Sequence, residues 1–285
     1  MFSLHELLFL LGAGIALIVL ERLLPLHPGQ KIFRPGWRID LMHVFLTGMV
    51  IRLGMVLALV VASVLAISVV PEPVREAIRA QPDWLEFVEL LVLSDLCFYV
   101  AHRLCHAVPA LWRFHAVHHS SEHLDWLATF RVHPIDQIFN STLIALPALV
   151  LGFSPLPLLI YALIYRVHSP MLHSNVRISL GALGWLVTTP RFHHWHHADQ
   201  IEAHDHNFGG QLTIFDRLFG THYVPGERSL PVRYGTGGAI AQRYLSHLLQ
   251  PFGLKSESNS TEPVELVSQP VLPSPISPGE SRPSP

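Results

Sequence analysis

Residues 53–70 read LGMVLALVVASVLAISVV. The run carries no charge, Pro71 closes it, and Val44 to Ile51 extend it beyond Arg52. A bilayer core of ~30 Å takes about 20 apolar helical residues, so this stretch predicts a membrane-spanning helix. Leu7 to Leu20 is a shorter uncharged run ending at Glu21-Arg22. A signal peptide would need a basic start and a small-residue cleavage site, and it has neither, so it also reads as a membrane helix. A third span is expected from Phe87 to about Leu104, interrupted by Glu89 and Asp95. Leu143 to Tyr165 is again uncharged but contains Pro147, Gly152, Pro155 and Pro157. A straight helix tolerates that poorly, so a hairpin turning at 152–157 is expected, with its return arm ending near Tyr165.

The composition agrees with a membrane chain. Of 285 residues, 50% are hydrophobic and only 14% charged, against ~25% in soluble domains. Two cysteines exclude a disulfide-stapled secreted domain, and a net charge of −2 gives no footprint for nucleic acid. Three units are expected: 1–84 with the first membrane helices, 85–250 as the functional domain, and 251–285 as a disordered tail. From Leu254 onward the chain holds seven prolines and eight serines in 32 residues, too little apolar surface to order itself. Basic residues set the orientation. Arg22, Lys31, Arg34 and Arg38 follow the first span, whereas only Arg75 and Arg79 separate the second from the third. The N-terminus is therefore expected outside, with residues 103–137 and 166–250 on the cytoplasmic side. The fold class is all-α integral membrane: about three transmembrane helices and a helical hairpin, with a cytoplasmic helical cap.

Against two lysines stand 20 histidines, thirteen of them in the blocks 102–133 and 193–206. His102 and His106 are spaced i,i+4 and share a helix face. His115, His118 and His119 are spaced i,i+3,i+4, and His193, His196 and His197 repeat that pattern. One such set occurs on ordinary helices; three can converge on metal. Thr189-Pro190 reads as an N-cap followed by proline at the first helical position, which puts His193 in the first turn of a new helix. Asp95 and Tyr99 continue the stripe of His102 and His106 back into the third span. An ionisable residue in a span is a functional candidate, so Asp95 and Tyr99 are expected in the active site; the alternative is that Asp95 pairs with a neighbouring helix.

Imidazole suits zinc, copper, iron and nickel. Cys97 and Cys105 lack structural-zinc spacing, and neither an H-E-x-x-H helix nor paired Glu-x-x-His motifs are present. Eight or more histidines exceed the needs of one four-coordinate ion, which leaves two ions or one ion with a large surrounding shell.

SDLCFYVAHRLCH (94–106), LWRFHAVHHSSEHLDW (111–126), HSNVRISLG (173–181), TPRFHHWHHADQ (189–200) and DHNFGGQLTIFDRLFGT (205–221) resemble the fatty acid hydroxylase/sterol desaturase superfamily. The resemblance covers about residues 85–225. It implies a histidine-bound di-iron centre on the cytoplasmic side, with His102 and His106 as the first box, His115, His118 and His119 as the second, and His193, His196 and His197 as the third. His168 and His173 match further family ligands, although their separation of five breaks helical stacking. The resemblance also implies O2 as co-substrate and the hydroxylation or desaturation of a C–H bond in a membrane lipid. Electrons would come from a separate reductase or carrier, since no haem-binding or ferredoxin-like region is visible. Asp205 and Asn207 match a recurring family pattern that could brace the third box, although a polar turn before Gly209-Gly210 fits equally.

His194 lies about 100° from its neighbours' face and is expected beside the ligands, in contact with them rather than with metal. His123, His133, His204 and His206 keep open roles near the boxes. His5, His27, His43, His222 and His247 read as interface or surface residues, Trp112, Trp126, Trp185 and Trp195 as headgroup anchors, and Cys105 as a small packing residue. Two rival readings remain: a histidine-bound zinc enzyme working as hydrolase or isomerase, and a metal transporter. The second is weakened because transporters place ligands near the bilayer midplane, whereas these lie at helix ends.

Overall fold

Ser3 starts the first helix with a capping box. Its hydroxyl accepts from the Glu6 amide, and the Glu6 carboxylate accepts from the Ser3 amide. Helix α1 (Leu4–Leu23) is apolar on every side, as a lipid-facing helix should be. The computed structural model describes residues 3–226 and 229–254. Helix α2 (Trp37–Met42) runs through a π-helical turn, His43–Thr47, into α3 (Gly48–Val69). The short α4 (Glu72–Arg79) leads to α5 (Asp83–Ala107), α6 (Pro109–His119), α7 (Pro134–Leu151) and α8 (Pro155–His173). Short helices α9 (Pro190–His196), α10 (Ile214–Leu218) and α11 (Tyr244–Leu249) complete the histidine-bearing end. Among the described residues there is no β-strand, only three isolated bridges.

Three segments are long and apolar enough to cross a membrane: Leu4–Leu23, Trp37–Val64 and Pro134–Leu151. The expected third span is the 25-residue α5, which is not among them. It packs on α7 and α8 and buries Glu86, Asp95 and Tyr99, because those polar groups find partners only inside the protein.

The hairpin turns where proline and glycine place it. Gly152 ends α7 at φ 69°, a left-handed conformation that glycine adopts without strain. Ser154 and Pro155 then start α8. Glu86 of α5 clamps the turn by accepting from the Ser154 amide at 2.7 Å and its hydroxyl at 2.8 Å. Both arms exceed their expected bounds. The first begins at Pro134 and keeps Pro147 inside it, and the second continues past Tyr165 to His173, with Pro170 inside.

Two buried carboxylates fasten the spans to the histidine-bearing end. Glu21, at the foot of α1, accepts from the amides of Trp126 and Asn175, both at 3.0 Å. Asp40 of α2 accepts from Arg34 at 2.6 Å and Arg131 at 2.5 Å, and Arg34 also donates to Asp125 at 2.5 Å. At the C-terminus, a turn over Gln250–Phe252 sets Phe252 against Phe114 and His133. The expected disordered tail lies, from residue 255 onward, outside the described residues.

Candidate metal centre

The helices deliver the histidines in two adjoining groups. His102, His106, His115, His119 and His196 form one, His118, His173, His193 and His197 the other. In each, one ring nitrogen per residue lies within 4.8 Å of all the rest. The His119 and His197 rings stack at 4.4 Å, so the groups share a wall. As the sequence predicts, α5 carries the first box, α6 ends on the second, and Thr189 caps α9 by accepting from the Phe192 amide.

The hydrogen bonds fix which nitrogen faces inward. A carbonyl oxygen can only accept, so an imidazole nitrogen bonded to one carries the proton. The Nδ1–H of His102 donates to the Phe208 carbonyl at 2.9 Å, that of His118 to Arg131 at 3.1 Å, that of His173 to Ser169 at 3.2 Å and that of His196 to His206 at 2.8 Å. His115 Nδ1 lies 3.1 Å from the Asp136 carboxylate. In the neutral ring Nε2 is then a bare lone pair. His102 and His115 bring theirs to 3.1 Å, and His118 and His173 to 3.0 Å. Nε2 of His106, His119 and His196 is buried without a hydrogen-bond partner.

Lone pairs facing at that distance repel unless a cation lies between them. A proton is the poorer choice. Burial, with neighbouring histidine charges adding to it, pushes His118 down to about 4, and burial pushes His196 down to about 3. A metal ion reconciles the geometry with the buried setting, and the donor set fits one: neutral imidazoles, each oriented by an oxygen behind it.

The loop 208–212 holds the Phe208 carbonyl in place. Asp216 accepts from the Phe208 and Gly209 amides, both at 2.7 Å, and from the Thr221 hydroxyl at 2.7 Å. Burial pushes the Asp216 carboxyl up to about 6 despite these donors. A side chain at Gly209 would meet the Leu212 carbonyl at 2.2 Å, so only glycine fits. Asp95 grips the far end of this loop, accepting from Gln211 at 2.6 Å and Leu212 at 3.0 Å. Tyr99 bonds the Thr221 hydroxyl at 2.9 Å.

Asp95 and Tyr99 belong to neither histidine group: the Asp95 carboxylate is engaged by the loop amides, and the Tyr99 hydroxyl bonds Thr221 and accepts from Arg103 at 3.3 Å. His168 joins neither group; its Nε2 bonds the Thr188 carbonyl at 3.2 Å. Five residues turn a helix by about 500°, which leaves His168 about 140° around α8 from His173. His194 does sit behind the ligands, with Nε2 bonded to the His173 and Ser174 carbonyls at 3.2 and 3.1 Å. Asp205 reaches His106 Nδ1 at 3.5 Å. Asn207 bonds Phe192 and Tyr223 through its side-chain amide. These two are the only non-glycine residues with positive φ among those described, and such conformations concentrate at functional sites.

Of the histidines read as interface or surface residues, His43 and His247 are buried and bond each other at 3.0 Å, and half-buried His27 stacks on His194. Trp195 is buried against Ala198 and Ala203 instead of anchoring at headgroups. Cys105 contacts Asp136 and Asn140 at 3.6 Å, so it helps to set the carboxylate behind His115. Asp136 itself was missed. An acidic residue just after His133-Pro134 reads as an ordinary helix start, and only the packing of α7 against α5 and α6 brings it to His115.

Residues 87–221 match the family described as fatty acid hydroxylase. The ornithine lipid hydroxylase OlsE of Rhizobium tropici is 37% identical over 182 residues, 63% of this chain and 54% of that protein. Alkylglycerol monooxygenase of Danio rerio is 34% identical over 145 residues, 48% of this chain and 30% of the relative. Its Homo sapiens counterpart is 33% identical over 141 residues, 47% and 30%. The matches thus span about half the length of the first relative and under a third of the others. No solved structure matches. All nine grouped histidines fall inside the matched segment, so the part of the chain that carries them is similar to the fatty acid hydroxylase family.

Proposed function

We propose that the chain is a membrane di-iron oxygenase that hydroxylates an unactivated C–H bond of a lipid, using O2 and electrons from a separate carrier. The observation that carries this reading is the inward-facing Nε2 set in two adjoining groups, five and four histidines, within a fatty acid hydroxylase domain. Iron held there would supply the O2 chemistry that removes hydrogen from such a bond. Hydroxylation is favoured over desaturation because the relatives are named hydroxylase and monooxygenase.

The chain's own part is orientation and exclusion of water. Phe208, Arg131, Ser169 and His206 carbonyls fix the ring tautomers, while Asp136 and Asp205 stand behind His115 and His106. Phe208 and Trp112 pack on His106 and seal the five-histidine group. The membrane position lets an apolar substrate enter sideways from the bilayer. We place the histidine groups on the cytoplasmic side, from the basic residues that follow α1 and α8.

The test combines iron analysis of the purified protein with comparative lipid mass spectrometry under 18O2. Bound iron and a product carrying one 18O are expected. Product formed without O2, or iron and product unchanged in His118→Ala and His196→Ala, sinks the reading.

A further inference from the structure

Beside the four-histidine group lies a cavity of about 810 Å3 that the proposed chemistry leaves unused. One wall is the loop between α1 and α2; the others are residues 122–123, Asp199 and 231–238. Four charged side chains line it: Lys31, Arg233, Glu122 and Asp199. No ion pair joins them to one another or to another described residue. Asp199 and Arg233 are neighbours across a backbone hydrogen bond, the Asp199 amide on the Arg233 carbonyl at 2.9 Å, whereas Lys31 comes from the loop between α1 and α2, which Gln30 holds on the Leu124 carbonyl.

A fifth wall residue, Arg34, is 1% exposed and its terminal nitrogens bind Asp40, Asp125 and the Pro35 carbonyl, so its charge is balanced within the protein.

The cavity's neighbours fit a lipid. Its loop leaves one apolar span and enters the next, and within it Ile32 and Phe33 are exposed, as expected of backbone at headgroup level. On the protein side Tyr234 links it to the histidines. Its hydroxyl lies 2.8 Å from His194 Nδ1, and His194 holds the His173 carbonyl.

We propose that this cavity binds a zwitterionic lipid headgroup, the ammonium facing Glu122 and Asp199 and the acidic group facing Lys31 and Arg233. Two cations balanced by two anions favour a ligand bearing both charges over a purely anionic lipid or an acidic protein face. As the headgroup site of the substrate, it rests on the lipid-oxidation reading above.

The experiment is native mass spectrometry of the full chain in uncharged detergent. Equal amounts of phosphatidylethanolamine, an acylated amino-acid lipid with free amine and carboxylate, phosphatidylglycerol and diacylglycerol are supplied. At least one zwitterion should be retained about tenfold over the last two, and the better one tells whether the acidic group is phosphate or carboxylate. Lys31→Ala with Arg233→Ala should erase the preference. Glu122→Gln with Asp199→Asn should turn it toward phosphatidylglycerol. Metal content should stay unchanged in both. All these side chains but Asp199 are exposed, and single Lys31→Gln should give a smaller loss in the same direction. Equal retention of all four lipids, a wild-type preference for phosphatidylglycerol, or a preference untouched by both double variants overturns the proposal. So does a dependence on Lys31 and Arg233 seen only in reduction by an acidic carrier protein. A zwitterion preference without iron or 18O product would instead overturn the oxidation reading and leave the headgroup site standing.

Discussion

The two histidine groups are built from the same residue type but backed differently. Behind the five-histidine group stand two carboxylates, Asp136 at His115 and Asp205 at His106, besides the Phe208 and His206 carbonyls. The backing of the four-histidine group is neutral: the Arg131 and Ser169 carbonyls orient His118 and His173, and Nδ1 of His193 and His197 has no partner. An anionic partner raises the donor strength of an imidazole. With metal bound, the first group would therefore be the stronger ligand set and the second the more labile one, although both sit in one buried wall of rings.

The largest effect should come from removing ligands on either side of that wall. His193→Ala and His115→Ala should each lower oxidised-lipid product more than ~100-fold, beyond the 10–100-fold typical of partners behind a ligand. Each should release one metal per chain, read by elemental analysis. Loss of both metals from either variant would break the division into two groups. Next is Asp136→Asn, which keeps the shape but removes the charge behind His115. A ~10–100-fold weaker affinity is expected at the five-histidine group alone, read by competition with a chelator of known affinity. If the weaker phase of the competition changes instead, the assignment of carboxylate to group is wrong. In the unaltered protein the same competition should be biphasic, the four-histidine metal leaving about tenfold more readily; a single phase would erase the contrast.

The smallest effect comes from a control outside both groups. Burial, then Arg131 and His43 nearby, pushes His247 down to about 2. The unfolded chain binds that proton near pH 6.5 and the folded chain does not, so stability is full above that pH and declines as pH falls below it. At pH 6 the share of His247 in that loss is about 1 kcal/mol. Thermal unfolding from pH 7.5 to 6 should show a decline, and His247→Gln should reduce it by that share without altering metal content.

Much of this was legible in the sequence because it is local. Uncharged runs gave the spans, Gly152 and the prolines the hairpin, Thr189-Pro190 the start of α9, and i,i+3,i+4 spacing the histidine faces. Asp95 kept two readings because a lone carboxylate within an apolar run looks the same whether it serves chemistry or grips two amides 116 and 117 residues away. His43 and His247 looked incidental for a similar reason: 204 residues separate them, and only folding seals them against each other.

By itself, then, the sequence determined which histidines share a helix face, since four residues turn a helix by only about 40° beyond a full circle. It could not determine which faces share a metal. Every i,i+4 pair stays together: His102 with His106, His115 with His119, His193 with His197. The remaining member of each triplet, His118 or His196, crosses to the other group. Spacing leaves that histidine about 60° to the other side of the first, so its assignment depends on what the neighbouring helix presents there. That was settled by the packing of α6 and α9 against α5 and α8, because a ligand set is closed by contacts between helices and helical periodicity ends at the helix surface.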